Sequence, residues 1–208
     1  MRLLIFFLII MVVDTTTAQY YPVDTMRLCN AYRALIKGPN TLEKQKEFLK
    51  AFPSTWLEYT LTYLYSPDKG FNNRLSQYAT KHSIVFADSL YLIDDTTYCR
   101  KYIELTTGMQ DTGELCTEIQ GNLHKTMEKR GDTMMYLLSR MRKGHQLQFW
   151  MFYWSTSAKS NWVEEFPVLY NKYRLRYPQE TERMRIAFEN FEDGIEYPNL
   201  LPHAESKK

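Results

Sequence analysis

Glycine is scarce, with eight in 208 residues. A phosphate cradle needs residues without a Cβ, so that backbone N–H groups can close on the anion. No G-x-x-x-x-G-K-[ST] and no G-x-G-x-x-G occurs. H-E-x-x-H and G-x-S-x-G are absent as well, and with them the signatures of helix-borne zinc proteases and of the α/β-hydrolase nucleophile elbow. The three cysteines, Cys29, Cys99 and Cys116, are too few for the disulfide scaffold of a small secreted domain. Their spacing fits no metal motif. None of His82, His124, His145 and His203 has another His or Cys three or four residues away, so no helical face offers a ligand pair. No metal and no cofactor is expected. Neither sign of charge dominates: 26 Lys+Arg face 24 Asp+Glu, a net charge of +2. Bulk attraction to nucleic acid is not expected at that balance.

One long apolar run is present, at the start. Met1-Arg2 is a short basic region, Leu3 to Val13 is unbroken apolar sequence, and Asp14 to Ala18 is short and polar. This order predicts a secretory signal peptide over residues 1–18, cleaved after Ala18. Its apolar run falls short of the roughly 20 residues a spanning helix needs. No other run reaches that length, so no transmembrane span is expected after processing. Residues 19–196 are then enough for one domain with a single core, and 197–208 form a loose tail. Outside the cytoplasm Cys99 and Cys116 could bridge; the simpler expectation is that all three thiols serve as buried small hydrophobes.

What remains is rich in aromatics (16 Tyr, 11 Phe and 4 Trp) and patterned at three and four residues, the helical period. Asp24 is placed to cap a helix that Gly38-Pro39 ends. Asn40-Thr41-Leu42-Glu43 reads as a capping box with Asn40 at the N-cap. Ser54 or Thr55 caps a third helix carrying Trp56, Leu57, Leu61 and Leu64. Leu75, Tyr78, Ala79, His82, Phe86, Leu90 and Ile93 hold one face of the next segment. Asp94 or Asp95 caps a helix running to Gly108. A stripe from Leu115 to Met127 ends at Gly131, and Asp132 caps a further helix with Arg140, Arg142 and Lys143 in its last turn, where cations suit the dipole. Gly144 breaks the chain before His145–Trp154. Pro167 kinks or restarts the following helix, and Pro178 opens the last one. The fold class is all-α: about ten helices in a single compact domain, arranged as a bundle or as stacked helix pairs.

Few residues are candidates for chemistry. Glu114 and Glu118 share a helix face at i, i+4. Such a pair can divide acid and base roles, or simply favour the helix dipole. His124 is either a general base beside them or a partly exposed helix residue. His82, on an apolar face, is expected to be a hydrogen-bonded core histidine. Phe149 to Trp154 is apolar all round, which on a helix predicts burial on several sides. Phe149, Trp150 and Phe152 are expected in the core. Trp154, with Tyr153, is the expected exposed member and a possible partner anchor. Lys125, Lys129, Arg130, Arg140, Arg142 and Lys143 oppose only Glu128 and Asp132. They form a basic face that either attracts an acidic partner or is simply solvated.

Several of these segments look familiar. Phe52-Pro53-Ser54-Thr55-Trp56, Leu64-Tyr65, His82-Ser83-Ile84-Val85-Phe86, Tyr98-Cys99-Arg100-Lys101-Tyr102-Ile103 and Phe149-Trp150-Met151-Phe152 resemble a group of exported, all-helical proteins of Bacteroidetes bacteria. The Ala18-Gln19 junction looks like a signal cleavage site of that phylum. The chain departs from the group at Gln110–Gly113, where an acidic Trp-Asp-x-Asp run is common, and at Trp154–Ser157, where Asp-Gly and Pro are common. The resemblance implies a bacterial envelope protein of the immunity or interaction type found beside secreted toxins.

The expected function is therefore an exported, periplasmic or extracellular protein that binds a protein partner through Trp154, Tyr153, Arg140, Arg142 and Lys143, with no catalytic residues. The competing expectations are a small envelope hydrolase using Glu118 or Glu114 with His124, and an envelope structural or assembly factor.

Overall fold

The computed structural model describes residues 23–64, 75–109, 114–155 and 159–192. The signal-peptide reading of residues 1–18, the turns at 66–70 and 111–113 and the tail at 197–208 lie outside the described residues. Among those described there are nine α-helices and no strand. They are α1 (Thr25–Ile36), α2 (Leu42–Ala51), α3 (Trp56–Tyr59), α4 (Ala79–Asp88), α5 (Asp95–Thr106), α6 (Glu114–Ser139), α7 (Lys143–Trp154), α8 (Lys159–Tyr173) and α9 (Pro178–Glu192). A π-helical turn, Thr60–Leu64, continues α3, and a 3₁₀ turn, Ser76–Tyr78, precedes α4.

Local chemistry accounts for most of the boundaries. Asp24, Thr55 and Asp94 cap α1, α3 and α5 by accepting from backbone N–H groups of the first turn; in α3 the reciprocal bond from Glu58 completes a capping box. Gly38 (φ +86°) and Gly108 (φ +85°) follow the ends of α1 and α5. Both take the left-handed conformation that stops a helix and that other residues adopt at a cost. Pro178 is the first residue of α9 and Pro167 sits inside α8.

Three boundaries differ from the sequence expectation. The N-cap of α2 is Thr41, which accepts from the Lys44 N–H. Asn40 is diverted into tertiary contacts: its amide donates to the Ser89 carbonyl at 3.0 Å and accepts from Gln45 at 2.9 Å. Gly131 and Asp132 do not divide two helices. α6 runs through them with a kink at Arg130 (φ −129°, ψ 21°). Gly131 is not in the left-handed region, so it has no stop geometry; what it permits is a close approach by Tyr173. Lastly, Arg140, Arg142 and Lys143 are not in the last turn of a helix. α6 ends at Ser139, and Gly144 lies in the first turn of α7 rather than in a break.

α6 is the hub, touching α4, α5, α7 and α9, while α7 and α9 pack most extensively on each other. The described helices form one compact all-α unit with α6 running through it. Its core is aromatic. Phe52 and Phe86 stack at 4.6 Å between α2 and α4, and Phe166 and Phe188 stack at 4.3 Å between α8 and α9. Cys99 and Cys116 are buried and Cys29 is half-buried; none is bridged, so the alternative Cys99–Cys116 disulfide is not formed.

Candidate functional site

α7 explains the fate of the aromatic segment. Phe149, Trp150, Phe152, Tyr153 and Trp154 are all buried, with Trp154 0 % exposed. The expectation of an exposed Trp154 is corrected: α8 and α9 fold back over the end of α7. Trp154 meets Phe188 edge-on at 5.3 Å and Phe166 at 6.0 Å. Tyr153 is equally enclosed, so neither aromatic offers a partner surface.

The C-terminus of α7 leaves carbonyls without intrahelical donors, and α6 supplies donors. Gln120, itself buried, donates from Nε2 to the carbonyls of Phe152 (2.6 Å) and Tyr153 (2.9 Å). His124, one turn further along α6, lies 3.0 Å through Nε2 from the Tyr153 carbonyl. A carbonyl only accepts, so Nε2 carries a proton. Nδ1 lies 2.7 Å from Glu165 Oε2 on α8, and the Tyr153 hydroxyl donates to the other oxygen of the same carboxylate. Burial alone would raise the Glu165 carboxyl. The hydrogen bond and charge of His124, with the Tyr153 hydroxyl, outweigh it and hold Glu165 below the ordinary value. Burial, reinforced by the Glu165 charge, pushes the Tyr153 phenol well above its usual range.

This network ties three helices together and occupies both imidazole nitrogens. With Nε2–H committed to a carbonyl and Nδ1 to a carboxylate, His124 presents no free lone pair to a substrate. Of the proposed acid–base partners, Glu118 is not brought to it. Glu118 accepts from the Asn122 amide at 3.2 Å, and six residues of helix turn it about 120° away from His124. The Glu114 side chain lies outside the described residues. Glu165, the carboxylate that does meet His124, was passed over in the sequence because nothing local links residues 41 positions apart.

His82 is buried as expected, with Nδ1 2.8 Å from the Tyr63 hydroxyl. Its Nε2 has no hydrogen-bond partner, and burial pushes the ring down to about 4. It is therefore a neutral core residue, packed 4.4 Å from the Tyr32 ring. Lys101 is also structural. Its ammonium donates to the Phe52 carbonyl at the end of α2 and to Ser54 Oγ, both at 2.6 Å.

The basic residues remain at the surface. Arg140, Arg142 and Lys143 are exposed, and Arg140 lies 5.3 Å over the Tyr136 ring. Arg142 is the N-cap of α7, in extended conformation and without a side-chain cap, and the first turn of α7 has no acidic residue. The positive end of the helix dipole thus coincides with two cations, which is unfavourable in isolation. Four of the other described arginines find carboxylates: Arg27–Glu47, Arg130–Asp95, Arg183–Glu180 and Arg185–Glu182 with Glu189, while Arg33, Arg100, Arg174 and Arg176 do not. Among the described residues Arg140, Arg142, Lys143, Lys125 and Lys129 form no ion pair.

Two clefts lie along α6. One, of about 290 Å³, is bounded by Asp88, Tyr91, Tyr98, Lys125, Lys129 and Arg130, with Asn122 and Thr126 on its α6 wall. The other, of about 240 Å³, lies between α5 and the end of α6 and includes Arg100, Tyr136 and Arg140. No three His, Cys, Asp or Glu side chains among the described residues are grouped to hold a metal, and no described helix is long and apolar enough to cross a membrane. Comparison with known proteins returns no match to any family model, curated protein or solved structure.

Proposed function

We propose that this chain is an exported binding protein whose basic corner, formed by Arg140, Arg142 and Lys143 at the start of α7, docks an acidic surface of a protein partner, as an immunity-type inhibitor would. The observation that carries the reading is electrostatic. Three exposed cations without counter-ions surround an uncapped helix N-terminus, whereas Arg27, Arg130, Arg183 and Arg185 each meet a carboxylate. Leaving like charges together costs stability, and an anionic partner offsets that cost and speeds encounter. The alternative hydrolase reading has less support, because both nitrogens of His124 are hydrogen-bonded within the fold. Export rests on the order of charge, apolar run and small residues in the first 18 positions, and the bacterial envelope setting on the resemblance to Bacteroidetes proteins.

The test has two halves. Mass spectrometry of protein from the envelope fraction should find a chain beginning at Gln19; retention of Leu3–Val13 there overturns export. The variant R140E/R142E/K143E should melt no lower than the native chain, because these side chains are exposed and acidic residues suit the start of a helix. An envelope protein that co-purifies with the native chain and elutes with salt should be lost with the variant. Equal recovery with both removes the basic corner from the interface.

A further inference from the structure

We infer that the cleft between α4, α5 and α6 is a binding site for a small oxyanion, a carboxylate or a phosphate, held by Arg130 with Lys125 and Lys129. The reasoning starts from periodicity. Asn122, Lys125, Thr126, Lys129 and Arg130 follow the i, i+3, i+4, i+7, i+8 spacing of one helical face. Asn122 and Thr126 on it are buried, Arg130 is half-buried, and Lys125 and Lys129 stand exposed at its rim. The face lines a cleft completed by Asp88 of α4, Tyr91 just beyond it and Tyr98 of α5.

Arg130 is the anchor. Its Nε lies 3.1 Å from Asp95 Oδ1 in an ion pair, and its guanidinium lies 4.2 Å over the Tyr98 ring. The carboxylate and the ring fix the plane of the fork, which is the preorganisation that makes arginine a good oxyanion ligand. One nitrogen of that fork, Nη1, is buried and has no hydrogen-bond partner. A buried donor left unpaired works against folding, so the fold holds this guanidinium in place at a cost. The kink at Arg130 belongs to the same device, because it turns this residue out of the regular helical path.

The charge balance points the same way. Lys125, Lys129 and Arg130 line the cleft against Asp88, while Asp95 is engaged by the Arg130 Nε. The cations remain in excess, and neither lysine has an ion-pair partner among the described residues. The size of the cleft, about 290 Å³, lies at the low end of the ~300–1,000 Å³ usual for ligand sites. It suits a small acid or a phosphoryl group rather than an extended chain. Thr126 is not a donor to it, since its hydroxyl is spent on the Asn122 carbonyl at 2.8 Å.

The test uses the full processed chain in chloride buffer at constant ionic strength, with inorganic phosphate and succinate as probes. Calorimetric titration should give saturable binding, and melting should rise with probe concentration as linkage requires. The variant K125Q/K129Q, altered only at exposed positions, should melt normally without probe and bind roughly tenfold more weakly or worse. Arg130→Lys keeps the charge but loses the fork and should weaken binding further. Tighter phosphate binding assigns a phosphoryl ligand and tighter succinate binding a carboxylate; both support the site. No saturable binding of either anion, or equal affinity in the native chain and K125Q/K129Q, overturns it. The variant R140E/R142E/K143E leaves the cleft intact, so failure here is distinct from failure of the partner surface.

Discussion

Two glycines on α6 should answer the same substitution with opposite signs. A Cβ built on Gly131 would lie 2.3 Å from the Tyr173 Oη and 3.3 Å from both the Tyr173 Cζ and the Met127 Sδ, whereas one built on Gly121 meets nothing within 4 Å. Replacing Gly with Ala inside a helix gains about 1 kcal/mol when space allows. Gly121→Ala should therefore raise the melting temperature by about 2–4 °C, as expected for a chain of this size. At Gly131 the ring must retreat by about 1 Å to reach ordinary contact. Tyr173 is 1 % exposed and has no open side to move into. Overpacking of this kind costs about 1–3 kcal/mol, enough to cancel or exceed the propensity gain. Gly131→Ala should thus melt below Gly121→Ala by several degrees, and at or below the native chain. Tyr173→Phe removes the clashing oxygen, which also lacks a hydrogen-bond partner in its buried setting. Alone it should be close to neutral, and in combination with Gly131→Ala it should restore melting to the native value or above. The assay is thermal and urea denaturation of the four variants, read as a double-mutant cycle. If Gly131→Ala stabilises as much as Gly121→Ala, or if Tyr173→Phe does not rescue it, the close approach of α8 to the kink is refuted. Because Arg130 adjoins Gly131, the Gly131→Ala variant should also lose anion affinity, while Gly121→Ala should keep it.

Three further outcomes are expected. Trp150→Ala and Trp154→Ala each remove a fully buried indole and should each cost roughly 3–5 kcal/mol; thermal melts in which either change is negligible contradict its burial. Glu165 has its carboxyl held below the ordinary value of 4.5, so its contribution is complete above that pH and is lost as pH falls through the depressed folded value. Urea melts across the acid range should therefore show a shallower acid loss for Glu165→Gln than for the native chain, and identical slopes would remove Glu165 from the clasp. Cys99 is buried and its thiol is pushed up to about 12 by burial, so Cys99 and Cys116 should alkylate only on denaturation, while half-buried Cys29 reacts first; mass mapping of labelled peptides reads the order.

The helical class and many of the helix limits could be read from local chemistry. Asp24, Thr55 and Asp94 cap by hydrogen bonds spanning three residues, and Gly38 and Gly108 act through their own φ angles. Such interactions are complete within one turn, so spacing along the chain is enough to reveal them. The burial of Phe149, Trp150 and Phe152 followed for a similar reason, since a helix apolar on every side must be covered. Tertiary structure decided the rest. Trp154 was taken for the exposed end of its helix because the coverage by Phe166 and Phe188 comes from helices that return to it later in the chain. Gly131 reads as a stop, yet only the arrival of Tyr173 explains why a residue without a side chain stands there. His124 and Glu165 meet across 41 positions, and Arg130 and Asp95 meet across two helices. The sequence alone could show that Lys125, Lys129 and Arg130 share a face. That these residues line a cleft depends on α4 and α5 packing beside α6, through contacts that no local pattern encodes.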